Sequence, residues 1–210
     1  MEKTNPAAAI AVIVFAKTFA IASKTRIAHT EGQCTAQRIY RELLSATASV
    51  LSTIPYHVAY AGGSEPGELS AYFAGAQSFF EQTGTTLGER MKQACLQIIH
   101  RGAKGCIVIG CDCPLRTTQD LQEAATLLTQ GVDVVLGPVE DGGYHLAGVN
   151  ARGVVIFDAT QWSSALLMDE TLDIIKHHNL RHSLLPTRFD IDTIGDYVRW
   201  KEQIAKKKID

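Results

Sequence analysis

Two rhythms alternate along this chain. Short apolar blocks bounded by glycine or proline are separated by longer stretches in which apolar residues recur three and four apart. Ala9–Phe15 reads as a buried strand, and Cys34–Leu51 has helical spacing. Tyr56–Ala61 is a second strand, closed by Gly62-Gly63. Glu68–Phe73 predicts a short helix, and Gln77–Glu81 an extended segment. Leu87–Arg101 predicts a helix that Gly102 and Gly105 end. Cys106–Gly110 is a strand, and Thr117 or Thr118 can cap a helix running to Gln130. Asp133–Leu136 is a strand stopped by Gly137-Pro138, and Tyr144–Val149 alternates as another. Ser163–His177 and Ile194–Ala205 predict the last helices, with Lys206–Asp210 a frayed end. Strand and helix signals in turn argue for an α/β protein: a mainly parallel sheet with helices on both faces, three layers in all.

Composition narrows this picture. At 210 residues the chain fits a single domain over 1–210, and 46% hydrophobic with 20% charged residues is ordinary for a globular protein. A net charge of −2 gives no general attraction to nucleic acid or anionic membranes. No apolar run is long enough to span a bilayer. Ala7–Ala16, preceded by Lys3 and followed by Ala20-Ile21-Ala22, imitates a secretory signal, but Lys17 interrupts it, so the segment reads as the first strand. Five cysteines, an odd number in a chain this long, fit a reduced, cytoplasmic setting. Cys111 and Cys113 are spaced C-x-C with no matching Cys/His pair nearby, which argues against zinc.

Four stretches could carry chemistry. Cys106–Pro114 is an apolar run ending in Gly110, with Asp112 one step on and Pro114 blocking continuation. Such a strand delivers a carboxylate to the edge where open α/β sheets bind ligands. Asp112 could anchor Mg²⁺ or Mn²⁺, completed by phosphate oxygens and water; the plainer alternative is a turn cap before proline. The loop after the first strand gathers Lys17, Lys24 and Arg26 around Ser23 and Thr25, a natural phosphate site that equally describes a solvated loop. Neither a Walker sequence nor G-x-G-x-x-G is present. Gly137–Tyr144 places Glu140, Asp141, Gly142 and Gly143 between two strands. Either acid could accept a hydroxyl proton, and the glycines permit close backbone approach, though Asp-Gly and Gly-Gly also make hairpins. Asp190 and Asp192 point the same way if the segment is extended, and two such carboxylates repel unless a cation or protonation relieves them. Asp192 or Thr193 could instead cap the last helix. Arg90, at the head of a helix, could reach a phosphate, and Trp162 could line an acceptor pocket or simply pack.

These ordered blocks resemble a family. Lys24-Thr25-Arg26, Leu87-Gly88-Glu89-Arg90-Met91, Gly110-Cys111-Asp112-Cys113-Pro114, Gly137–Tyr144, Trp162-Ser163 and Asp190-Ile191-Asp192-Thr193 are similar to stretches of bacterial glycosyltransferase-like proteins of GT-A fold. That family is of unknown specificity, is grouped with nucleotide-diphospho-sugar transferases, and is related to the nucleotidyltransferases of sugar and cofactor synthesis. The resemblance spans Ala9 to about Trp200. It implies the GT-A fold with a mixed sheet, a nucleotide over the first strands, and a divalent metal near Asp112 with Asp192, and Asp190 beside it, as late ligands. Gly142, Gly143, Tyr144 and Trp162 would then border the sugar or acceptor. Two departures stand out: Thr18–Ser23 lacks the family's proline and glycine, and no Asp-x-Asp follows the central strand.

The leading expectation is glycosyl transfer from a nucleotide-sugar to a small-molecule acceptor, with Lys24 and Arg26 offsetting leaving-group charge and Asp141, or else Glu140, taking the acceptor proton. Nucleotidyl transfer to a phosphorylated small molecule is the first alternative; the spacing of Lys17 to Lys24-Thr25-Arg26 resembles the phospholactate guanylyltransferases. A non-catalytic nucleotide-binding module is the second. The residues name neither base, sugar, acceptor nor oligomeric state.

Overall fold

The computed structural model describes residues 10–206 apart from 22, 52, 53 and 64. Ala9 of the expected first strand, Ala22 of the signal-like triplet and residues 207–210 of the expected frayed end lie outside the described residues. Among the described residues seven strands form one sheet: β1 (Ala11–Lys17), β2 (Tyr56–Ala61), β3 (Ser78–Glu81), β4 (Gly105–Ile109), β5 (Val134–Pro138), β6 (Tyr144–Asn150) and β7 (His182–Leu184). Their order is β3-β2-β1-β4-β6-β5-β7. All neighbours run parallel except β6, which is antiparallel to both β4 and β5. That reversal matters for the site. The start of β6 meets the carboxyl ends of β4 and β5 at one edge, with Leu146 opposite Ile109 and Tyr144 opposite Pro138.

The sheet is covered on both faces because its strands are apolar on both. Along β1, Val12, Val14 and Ala16 face one way and Ala11 and Ile13 the other, the alternation a pleat imposes. The first face packs against α2 (Gln33–Val50), α3 (Leu69–Tyr72) and α5 (Thr118–Thr129), through Tyr40, Leu44, Leu69, Leu121 and Leu128 among others. The second packs against α4 (Leu87–His100), α6 (Leu167–His177) and a 3-10 turn at Gly153–Asp158, through Met91, Cys95, Ile98, Phe157 and Ile175. A smaller cluster joins α1 (Thr25–Glu31), α2 and α7 (Ile194–Lys206) through Ile27, Ile39, Leu43, Tyr197 and Trp200, with Phe189 and Ile191 inserted. Ile191 is fully buried there; burying such a side chain stabilises by about 1.5–3 kcal/mol.

Helix starts follow local chemistry. Thr86 and Glu89 form a reciprocal capping box for α4, and Thr117 with Asp120 does the same for α5, so Thr117 rather than Thr118 is the cap. Helix α6 begins at Leu167, not at Ser163 as its spacing predicts. The Glu170 carboxylate accepts from the N–H groups of Thr160 and Gln161 and from the Thr160 hydroxyl, while Ser163 adopts φ 63°, so the chain turns before it coils. Helix α1, the 3-10 turn and β7 carry no expectation from the sequence pattern. No helix among the described residues is long and apolar enough to cross a membrane, and all five cysteines are free thiols.

Candidate active site

A cleft of about 570 Å³ opens at the edge where β1 and β4 end and β6 begins. Its walls come from the end of β1, the head of α1, the loop after β4, the turn before β6, Trp162 and the segment around Asp190. A depression of about 510 Å³ between α2 and α7 shares no lining residue with it.

One cation ties three distant parts of the chain together. Lys24 sits just before α1 in the left-handed region, φ 54° and ψ 47°, with no side-chain cap. Its side chain is 4% exposed, and its ammonium lies 2.7 Å from Asp112 Oδ1 and 3.6 Å from Asp192 Oδ1. It also donates to the Ile191 carbonyl. The Ile191 N–H in turn donates to the Asp112 carbonyl at 2.9 Å. Burial works against the Lys24 ammonium, but Asp112, followed by Asp192 and Asp190, outweighs it and raises the pKa. Arg26, largely exposed, reaches the other oxygen of Asp192 at 3.2 Å. The period-two expectation for the late acids holds in space: Phe189 and Ile191 enter the satellite core while Asp190 and Asp192 line the cleft.

Asp190 differs from its neighbours. Oδ1 has no hydrogen-bond partner among the described residues. Burial first, then the charge of Asp112, pushes its pKa up to about 7, with Lys24 and Arg116 pulling the other way.

Beneath the loop after β4 lies a second cation. Arg116 is 3% exposed. Its Nε donates to His145 Nδ1 at 3.3 Å and its Nη2 to the His145 carbonyl at 2.9 Å. Nη1 has no partner among the described residues. Burial pulls the Arg116 pKa down. Burial, with Arg116 adding to it, lowers that of His145 to about 3, so the ring is neutral. Accepting at Nδ1 places the ring proton on Nε2. Burial raises the thiols of Cys111 to about 12 and Cys113 to about 11. Tyr40 pins the end of β1, donating to the Lys17 carbonyl at 2.8 Å and accepting from its N–H at 2.9 Å.

The opposite wall is the turn before β6. Asp141 Oδ1 accepts from the Gly143 N–H at 3.1 Å. Gly142 has φ 88°, and a Cβ there would sit 2.2 Å from the Ala165 carbonyl. It packs against the approach to α6, where its own carbonyl accepts from Met168 N–H at 2.9 Å. Tyr144 and Trp162 meet edge to face with centroids 6.1 Å apart.

Lys17, Lys24, Thr25, Arg26, Arg90, Asp112, Asp141, Gly143, Tyr144, Trp162, Asp190 and Asp192 all line the cleft. Glu140 and Gly142 do not. Glu140 instead forms a two-pronged pair with Arg199, at 2.7 and 2.8 Å. Arg90, whose Nε donates to Gly84 O at 3.0 Å, stands at the rim. The sequence pattern passed over Arg116, His145, Tyr40 and the Ile191 carbonyl; the one available signal was a charged residue two places after Pro114.

Among the described residues, no three His, Cys, Asp or Glu side chains are grouped as metal ligands. Asp112 and Asp192 nevertheless share one cation, that of Lys24. Their hard oxygens match Mg²⁺ or Mn²⁺, which commonly take one or two carboxylates and complete the shell with phosphate and water.

Residues 44–164 match the family model described as an uncharacterized protein conserved in bacteria, DUF2064. No curated protein matches the chain. A solved structure from Desulfovibrio desulfuricans G20, titled a "putative nucleotide-diphospho-sugar transferase", is 28% identical with a TM-score of 0.80, over 89% of this chain and 84% of that one. The 4-diphosphocytidyl-2C-methyl-D-erythritol synthase of Anaerococcus prevotii DSM 20548 is 8% identical with a TM-score of 0.63, over 95% and 97% of the two chains. Rv0371c of Mycobacterium tuberculosis, solved in complex with manganese, is 16% identical with a TM-score of 0.52, over 90% and 96%. At those identities the last two show the fold alone. The architecture is the nucleotide-diphospho-sugar transferase (GT-A) fold, as the sequence blocks imply.

Proposed function

The chain belongs to the bacterial DUF2064 family, and we propose that it is a transferase that uses a nucleotide-diphospho-sugar, with a divalent metal at Asp112 and Asp192. The observation that carries this reading is the convergence of those two carboxylates on one buried cation at the ligand-binding edge of the sheet. Lys17, Arg26 and Arg90 stand around them and supply the positive charge a diphosphate needs. The relative from Desulfovibrio desulfuricans is titled for the same donor class.

In the proposed reaction an acceptor hydroxyl attacks the anomeric carbon. The new carbon–oxygen bond forms as the bond to the diphosphate oxygen breaks, and the electron pair leaves with the diphosphate. Asp141 keeps Oδ1 on the Gly143 N–H, which orients the carboxylate and leaves Oδ2 to take the hydroxyl proton. Lys24 holds the two metal-site carboxylates together in the free protein, and Arg26 can swing from Asp192 to the departing phosphate. A divalent ion bound by Asp112 and Asp192 would add charge stabilisation of the leaving group.

Calorimetry with UDP-, GDP- and ADP-sugars in the presence of Mn²⁺ tests the donor. The expected result is binding by one of them, with metal-dependent sugar transfer or release reduced about 100-fold or more in Asp112→Ala. Pyrophosphate released from a nucleoside triphosphate and a sugar phosphate would instead mark a nucleotidyltransferase, a chemistry the same fold hosts. Binding that vanishes in Asp112→Ala with no turnover on any acceptor would mark a nucleotide-binding module.

A further inference from the structure

Among the described residues, Arg116, Tyr144, His145, Trp162 and Asp190 line the cleft and each carries a buried polar atom with no hydrogen-bond partner; two of them, on Arg116 and Asp190, belong to ionisable groups of opposite kinds. Arg116 Nη1 can only donate, and Asp190 Oδ1 chiefly accepts. Both residues line the cleft, and each feels the charge of the other. Buried groups are nearly always hydrogen-bonded, so a donor and an acceptor left open on one cleft call for an occupant.

Arg116 is held in a way that favours recognition over adaptation. Two of its three nitrogens are tied to His145, one to the ring and one to the carbonyl. His145 Nε2 sits over Gly137, so close that a Cβ there would come within 2.6 Å of it. Nη1 is therefore presented in a fixed direction before any ligand arrives.

The pair's chemistry selects the ligand class. A phosphate or carboxylate would satisfy Arg116 but meet the charge of Asp190. An ammonium would do the reverse. A hydroxyl accepts from one and donates to the other. Tyr144 and Trp162 add an aromatic surface to the same cleft, and a mostly apolar wall with a few convergent polar groups is how small-ligand sites fix orientation.

We propose that Arg116 and Asp190 form a hydroxyl-recognition subsite that grips the sugar ring of the donor and sets which sugar the enzyme accepts. This rests on the nucleotide-sugar reading above and assigns Asp190, expected from the sequence as a metal ligand beside Asp192, to the sugar instead.

The test compares a nucleoside diphosphate with its matching nucleotide-sugar, by calorimetry with Mn²⁺, in the wild type, Arg116→Gln and Asp190→Asn. The expected result is that each variant weakens the nucleotide-sugar about 10- to 100-fold more than it weakens the bare diphosphate. A deoxy-sugar donor lacking the gripped hydroxyl should bind wild type and variants alike. Equal weakening of diphosphate and nucleotide-sugar in both variants overturns the subsite and leaves the donor reading standing. Failure of the wild type to bind any nucleotide or nucleotide-sugar overturns both. If Arg116→Gln does not fold, Asp190→Asn decides the matter by the same ratio.

Discussion

Asp133 is buried and Asp190 half-buried with one carboxylate oxygen shut from solvent; they lie beyond opposite ends of the sheet and behave in opposite ways. Asp133 closes a network. Its Oδ1 accepts from Asn150 Nδ2 at 2.9 Å, its Oδ2 from the Arg181 N–H at 2.9 Å, and Arg152 lies 3.3 Å away. Burial alone would raise its pKa, but those donors, Asn150 foremost, overcome it and hold the acid below its ordinary value. Asp190 has one oxygen without a partner among the described residues, and burial wins, lifting it to about 7. Each acid loses contact with water; what differs is how far its oxygens are paired. A fully paired buried charge is architecture, whereas an open one is a cost the fold accepts for another reason.

The largest effect should come from breaking the closed side. Asp133→Ala strips three donors of their acceptor and should lower stability by about 3 kcal/mol, read by urea unfolding, with activity per folded molecule unchanged. An unchanged midpoint would erase the contrast. The open side should answer to a cation. Mn²⁺ at a hundredfold excess over its dissociation constant should stabilise wild type by about 2.7 kcal/mol, and Asp133→Ala equally, but not Asp112→Asn. A thermal-shift titration reads this directly.

Smaller, and of opposite sign to the first, is Asp190→Asn. Because the folded pKa of about 7 lies above the ordinary 3.8, the folded state binds the extra proton between those values. Stability contributed by that proton is complete below about pH 4 and lost as pH rises towards 7. Removing the acid should therefore raise stability at pH 8, on the order of 1–2 kcal/mol, and flatten the slope of unfolding free energy between pH 4 and 7. Denaturation at several pH values checks the slope, and a parallel profile for wild type and variant would contradict it. The least effect is expected from Glu140→Gln. Its exposed pair with Arg199 lies off the cleft, so neither melting temperature nor turnover should move measurably.

What the sequence disclosed, and what it withheld, divides along the same line. Strands β2, β4 and β5 were legible because glycine or proline ends each apolar run. Helix α1 was not: of its seven residues only Ile27 is buried, so no periodicity announces it. Strand β7 has three residues with two exposed, and Val154–Phe157 is an apolar run that coils into a 3-10 turn against α4 rather than extending. In the cleft, Asp112, Asp141 and the late acids stood out because each lies within two residues of a glycine, a proline or a second acid. Arg116 and His145 did not, since their meaning arises only from a contact across 29 positions. Glu140 and Asp141 are adjacent, with Asp141 the first choice from sequence and Glu140 the second; the turn sends Glu140 outward to Arg199 and Asp141 into the cleft.

Lys24 carries a last lesson about what selection tolerates. A left-handed backbone suits glycine, and most other residues are disfavoured there by about 1 kcal/mol or more. Glycine at this place would relax the main chain and silence the charge at one stroke. The most comfortable residue would thus be the most damaging, and an engineering scheme that rewards backbone ease would erase the feature on which the cleft is organised.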